Sequence, residues 1–460
     1  MNKPVSKVRE AKLELYRKHG KIHARSVEGR FNRWRWGMVW FTQAIFYGLC
    51  WLPWESEAGR RQAVLFDIAH EKLYLFDLVL WPQDALLLAF ALIVAATGLF
   101  LTTALAGRLF CGFACPQTVY TMIFTWIEAR VEGDHLARLK LDRSPNGPRK
   151  LALRLTKHLL WAALAVWTAI TFVGYFTPIR ELLPSVAALS TGPWEAFWLI
   201  FYAAFTYVQA GLAREAVCQH MCPYSRFQGV MFDPATRNVA YDRQRGEPRG
   251  SRGVGHGDCI DCGICVEVCP TGIDIRDGLQ YQCINCGLCI DACDRVMDRI
   301  GAPRGLIRFA SENELSGRAG TGWRQRPRLA VYAGVLVAIA GLAAWTLAER
   351  QLLRVDVLRD RGALARETAD GQIENAYTLK LANIADRPRR FHVTVDGPLP
   401  LKIVGDAEFA VGAGSLVPVS VTVATPAGEH LPGIVPIRFA VSAVDEPALR
   451  VGEASSFALP

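Results

Sequence analysis

Five long apolar runs, two adjacent cysteine runs of one spacing, and a closing stretch of alternating apolar and polar residues predict a multi-domain membrane protein. The expected architecture is an α-helical membrane region of about five spans, an inserted cysteine-rich module and a C-terminal immunoglobulin-like β-sandwich. At 460 residues the chain is too long for one ordinary domain. Its 51% hydrophobic content and net charge of +9 suit apolar spans flanked by basic loops.

Residues 1–33 carry ten Lys/Arg against three Asp/Glu and form a basic tail. No small-residue cleavage pattern follows the first apolar run, so that run is expected to stay as an anchor. The expected spans are residues 35–53, 84–106, 157–178, 194–213 and 329–348, each close to the ~20 residues a bilayer needs. Trp34, Trp36, Trp51 and Trp54 flank the first, as interfacial aromatics do. Five such runs rarely share one soluble chain, which disfavours buried soluble helices. The tail and segments 107–156 and 214–328 are rich in Lys/Arg, so all three are placed in the cytoplasm. An odd number of spans then carries the C-terminus to the periplasm.

Residues 34–232 are read as a membrane domain with four spans and two matching motifs, Cys111-Gly-Phe-Ala-Cys115-Pro116 and Cys218-Gln-His-Met-Cys222-Pro223. Each motif starts a few residues past a span, at the cytoplasmic face. If the local backbone is helical, the i, i+4 spacing puts both sulfurs of a pair on one side. Pro116 and Pro223 suit the first turn of a following helix, and Thr118 to Ile127 and Tyr224 to Phe232 are too short to span. Four soft thiols suit Cu(I), zinc or an iron–sulfur cluster. They also suit thiol–disulfide electron transfer, and burial as small hydrophobes is the plainer account. His220 and Met221 inside the second motif are further copper-ligand candidates. Cys50 has no partner in sequence and is read as packing.

Residues 233–328 hold the inserted module between two basic, loop-like linkers, 233–258 and 299–328. Its core is Cys259-Ile-Asp-Cys262-Gly-Ile-Cys265-Val-Glu-Val-Cys269-Pro270 and Cys283-Ile-Asn-Cys286-Gly-Leu-Cys289-Ile-Asp-Ala-Cys293. This is the spacing of a bacterial-type two-cluster ferredoxin, where each run gives three thiolates to one [4Fe–4S] cluster and its fourth to the other. Cluster one is assigned to Cys259, Cys262, Cys265 and Cys293, and cluster two to Cys283, Cys286, Cys289 and Cys269. Gly263 and Gly287 lie inside the loops, where a side chain would crowd a cluster. Zinc fits CxxC pairs but not this doubled run, and disulfides are unexpected in a reducing compartment. Asp294 stands where the pattern repeats Pro.

After the span at 329–348, residues 349–460 contain no Cys and change texture. Residues 377–381, 390–395, 417–423 and 437–441 alternate apolar with polar, separated by Gly, Pro and Asp. Short strands of period two with turn signals predict the β-sandwich, read as a docking or structural module.

The two CxxxCP motifs, Cys111 to Thr118 and Cys218 to Tyr224, and the run Cys269-Pro-Thr-Gly-Ile-Asp-Ile-Arg-Asp-Gly-Leu-Gln-Tyr281 carry a family resemblance. Joined to five spans and a terminal sandwich, they resemble the FixG/RdxA/CcoG-type accessory proteins of cbb3-type cytochrome c oxidase over nearly the whole chain. The resemblance implies a copper-reducing oxidoreductase of the bacterial inner membrane, turning Cu(II) into Cu(I) for the oxidase's haem–copper centre. Two [4Fe–4S] clusters would store the electrons, and Cys111, Cys115, Cys218 and Cys222 would be the catalytic copper-binding thiols. The implied partners are the oxidase or its copper chaperones, an unnamed electron donor and membrane lipid, with no nucleic acid. A rival resemblance, to quinol-oxidising components of periplasmic nitrate or nitrous oxide reduction, keeps the electron path without copper. A third reading is a non-enzymatic assembly scaffold. No dinucleotide fingerprint is present to name the donor.

Overall fold

The computed structural model describes residues 22–56, 59–250, 255–318, 326–360, 365–385, 387–426 and 433–459. The basic tail before residue 22 lies outside them. The chain divides into two compact units, one of residues 1–42, 99–165 and 203–330, the other of residues 43–98, 166–202 and 331–460.

Four helices are long and apolar enough to cross a membrane: Ala85–Ala106, Pro148–Val173, Pro193–Ala213 and Pro327–Ala348. They match four of the five expected runs, and the protein is a membrane protein. The first expected run is also helical, over Arg30–Leu49, but starts and stops earlier than residues 35–53. Arg30, Arg33 and Arg35 dilute its N-terminal end. Arg35 is only 5% exposed, and its Nε donates to the Gly112 carbonyl at 3.1 Å, so protein rather than lipid surrounds it. The helix stops because Pro53 opens a short strand, Pro53–Ser56.

In the second unit the C-terminal residues form the expected sandwich of two antiparallel sheets. One runs Lys402–Val404, Ser415–Thr425, Ile373–Asn383, Leu353–Arg359, with Arg366–Glu367 added to Ile373–Asn383. The other runs Glu408–Val411, Arg389–Asp396, Gly433–Ala443, Arg450–Leu459. Alternation along Ile373–Asn383 points Tyr377, Leu379 and Leu381 inward, and they meet Phe391, Val423, Phe439 and Phe457 in the core. Each such side chain contributes about 1.5–3 kcal/mol by leaving water.

In the first unit the cysteine module is built on two helices, Ile264–Glu267 and Leu288–Arg299. Gly263 and Gly287 precede them at φ 70° and 73°, where an L side chain is strained. The two linkers are not loops throughout. Asn238–Tyr241 and Ile307–Ala310 pair as an antiparallel two-stranded sheet in the register Val239↔Phe309. Both strands are four residues long, so too little period-two pattern stands out from the surrounding basic sequence.

Candidate functional site

The eight module cysteines gather around two largely enclosed cavities. Cys259, Cys262, Cys265 and Cys293 line one, with Tyr241 and Met297. Cys269, Cys283, Cys286 and Cys289 line the other, which Cys265 also borders. Four thiols on mostly apolar walls fit a cubane in each. When bound, the clusters supply single electrons. Asp294, where the pattern repeats Pro, lies within the helix Leu288–Arg299, and its Oδ1 accepts from Gly305 N at 2.9 Å, which ties the helix to the loop beyond it. Asp291 accepts from the Phe31 and Asn32 amides at 3.1 and 2.8 Å, capping the first turn of helix Arg30–Leu49.

The two CxxxCP motifs share one backbone design. Cys111 sits in a short helix, Leu109–Phe113, and Cys218 in a π-helical turn, Val217–Met221. Cys115 and Cys222 are extended N-caps of the helices Pro116–Glu132 and Pro223–Met231, whose first residue is Pro in each case. The helix therefore breaks inside each pair, contrary to a continuous i, i+4 face, because Cys115 and Cys222 precede proline, which disfavours the α conformation.

The motifs come together although more than 100 residues separate them in sequence. Cys218 lies within electrostatic reach of Cys111, Cys115 and Cys222. Burial first, then repulsion by the neighbouring sulfurs, pushes Cys218 up to about 12 and Cys111 up to about 11. Bare thiolates do not persist there at neutral pH, and a bound metal ion would replace the protons. The surrounding donors fit such a centre. Gln228 is fully buried, its Oε1 lies 3.5 Å from Cys111 Sγ, and its Nε2 has no hydrogen-bond partner. Arg108, 3% exposed, likewise leaves its Nε unpartnered. Among the described residues no three His, Cys, Asp or Glu converge on one single-ion position. That holds for the ferredoxin cysteines too, since each cubane thiolate binds its own iron. A pair of thiolates is enough for Cu(I), a d10 ion that accepts linear coordination. His220 and Met221 are exposed, Met221 at 65%. Cys50 is buried among Ile170, Val173 and Leu182, as packing requires.

The site rests against the ferredoxin. A Cβ on Gly112 would lie 2.6 Å from the Ile284 carbonyl oxygen and 3.0 Å from Cys286 Cα, so glycine permits the approach. Cys111 packs against a buried cluster that contains Val268, Ile284, Cys286 and Leu288. A cavity of about 480 Å³, walled by Trp36, Gln117, Thr118 and Thr271, reaches Cys218.

Sequence reasoning missed a buried charge network next to this cavity. Glu128, fully buried, accepts from Arg138 at 3.3 Å and Arg214 at 2.9 Å, and Lys157 bridges to Glu132 at 2.7 Å. Lys157 and Arg214 also sit over the Trp161 ring. The available signal was a Glu in the apolar helix behind Cys115 and a Lys within an apolar run.

Three family models match the chain: a 4Fe-4S dicluster domain over residues 213–312, an IG-like fold at the C-terminus of FixG, putative oxidoreductase, over 343–460, and a 4Fe-4S binding domain over 88–132. The nitrogen fixation protein FixG of Rhizobium meliloti is 38% identical over 445 residues, 88% of this chain and 85% of its own. Protein RdxA of Cereibacter sphaeroides is 40% identical over 397 residues, covering 84% of this chain and 85% of its own. RdxB of the same organism is 38% identical over 403 residues, 85% and 84% of the two chains. Clusters of thiols on two enclosed cavities, a membrane helix set and this likeness over most of the length agree: the chain belongs to the FixG/RdxA family and is an iron–sulfur electron-transfer protein of the membrane.

Proposed function

We propose that the protein reduces Cu(II) to Cu(I) at Cys111, Cys115, Cys218 and Cys222, for assembly of a cbb3-type oxidase. The observation that carries this reading is the gathering of both CxxxCP motifs against the loop that holds Cys283 and Cys286. Each Cu(II) takes one electron and no proton, which matches a one-electron store and thiol ligands that prefer the reduced ion. The cavity reaching Cys218 gives the ion a way in. The unpartnered donors of Arg108 and Gln228 offset negative charge on a thiolate-bound ion. The Cu(I) product would pass to the oxidase or to a copper chaperone.

Replacing all four cysteines by Ser is expected to abolish copper binding and anaerobic Cu(II) reduction while iron stays at about eight per chain, the content of two cubanes. Ser nearly matches the size of Cys but is a poor ligand for Cu(I), so the change tests ligation more than packing. Retained copper reduction in this variant would move the reaction to other residues. Normal assembly of active oxidase in cells carrying it would favour the scaffold reading.

The same proposal places the ferredoxin module in the cytoplasm and the sandwich in the periplasm, following the basic loops. A reporter active only in the periplasm should work when fused after Pro460, and one active only in the cytoplasm when inserted near Arg245. The reverse pattern would overturn the orientation.

A further inference from the structure

We infer that electrons leave the ferredoxin through cluster two alone, and that Arg108 is the positioning residue that couples this cluster to the CxxxCP thiols. Arg108 touches both sides. One Nη donates to the Tyr281 carbonyl, two residues before Cys283. The other donates to the Ser225 carbonyl, three residues after Cys222. Its charge is felt by Cys111, Cys218 and Cys222 on one side and by Cys283 on the other. Of the eight cluster ligands, Cys283 is the one whose charge acts most strongly on Arg108.

The charge balance supports the same assignment. A buried guanidinium normally pairs with a carboxylate, because an uncompensated buried charge is costly. Arg276, the cation beside cluster-one residue Cys265, is paired with Asp274 and Asp261. Among the described residues no carboxylate pairs with Arg108, whose bound oxygens are backbone carbonyls. Metal-bound thiolates at Cys283 on one side and at Cys111, Cys218 and Cys222 on the other would supply negative charge within its reach. Arg108 would therefore favour the reduced form of cluster two, which carries one more electron. Gly112 brings the two backbones into contact at Ile284 and Cys286, which shortens the gap an electron crosses.

The transfer would balance without a proton: the electron given up on the Cys283 side would be the one gained by the acceptor at the four thiols. The acceptor rests on the copper reading, but the charge coupling does not, so the test omits copper. In anaerobic holoprotein, potentiometric titration followed by electron paramagnetic resonance should give a lower potential for one cluster only in Arg108→Gln. Arg108→Lys should restore most of that potential. Adding Cys283→Ser should remove the signal that shifted, identifying it as cluster two. Equal shifts of both clusters, no shift, or a shift confined to the signal lost in Cys259→Ser would each overturn the inference. Should Arg108→Gln fail to fold, redox-inert Zn(II) added to the parent protein replaces it. Zn(II) bound by the four thiols displaces their protons and leaves the site net negative, so it should lower the potential of cluster two and leave cluster one unchanged, with no effect in the four-Ser variant. An equal or larger fall at cluster one would refute the path.

Discussion

Glu128→Gln is expected to lower stability by about 3–5 kcal/mol, the cost of breaking a buried pair by removing one partner. Glu128 is fully buried and is the shared anion for Arg138 and Arg214, with Lys157 Nζ 3.7 Å away. Removing its charge takes this carboxylate from Arg138 and Arg214 and leaves Lys157 with Glu132. Gln keeps the shape, so packing changes little and the loss is electrostatic. Arg214 holds a strained backbone: it sits at φ 41° and ψ -113° at the end of the π-helical segment Tyr207–Ala213, four residues before Cys218. Its carbonyl accepts from Gln117 Nε2 at 3.0 Å, and Gln117 lies two residues past Cys115. The network thus ties the backbone entering the second CxxxCP motif to the backbone leaving the first. A thermal melt of purified protein in detergent should show a clear drop, and Cu(II) reduction should fall even where the clusters remain. A melt equal to that of the parent would mean that Arg138 and Arg214 find other partners and that the network is not structural.

The module, the sandwich and the membrane helices were legible because each carries a periodic or spaced signal. The doubled cysteine spacing names its cofactor through ligand count alone. Strands Ile373–Asn383, Arg389–Asp396, Ser415–Thr425 and Gly433–Ala443 each contain one of the alternating segments, since one face of every strand is buried. The first helix was harder to bound, because Arg35 is spent on Gly112 rather than exposed to water. The strands Asn238–Tyr241 and Ile307–Ala310 were hidden by their shortness and by a partner about 70 residues away.

What joins the site was not legible. Nothing in the spacing of Cys111 and Cys115 says that Cys218 and Cys222 lie beside them; that follows from how the membrane helices pack. A basic residue at a span's end, such as Arg108, is accounted for by topology alone. The need for glycine at residue 112 comes from the Ile284 carbonyl, which is distant in sequence. Glu128 and Lys157 gave the fairest warning, because ionisable residues in apolar surroundings need partners, but the sequence did not say which.

Exchange of the fourth ligands between the cysteine runs gives a result that iron analysis can read. Cys293 lies in the second run, yet it lines the cavity of Cys259, Cys262 and Cys265; Cys269 lies in the first run, yet it lines that of Cys283, Cys286 and Cys289. Each single change, Cys259→Ser, Cys269→Ser or Cys293→Ser, should cut iron from about eight to about four per chain by removing one cubane. The pairs discriminate. Cys259→Ser with Cys293→Ser strikes one cluster twice, so about four iron should remain. Cys259→Ser with Cys269→Ser strikes both, so almost none should. If each run held its own cluster, the two double variants would trade places. The departure at Asp294 makes the test sharper. Its side chain holds Gly305 from within the helix that carries Cys293, one residue past that cysteine. Asp294→Ala should then weaken retention of cluster one under mild chelation and leave cluster two as it is. Equal loss of both clusters in that variant would show that Asp294 supports the module as a whole rather than one ligand.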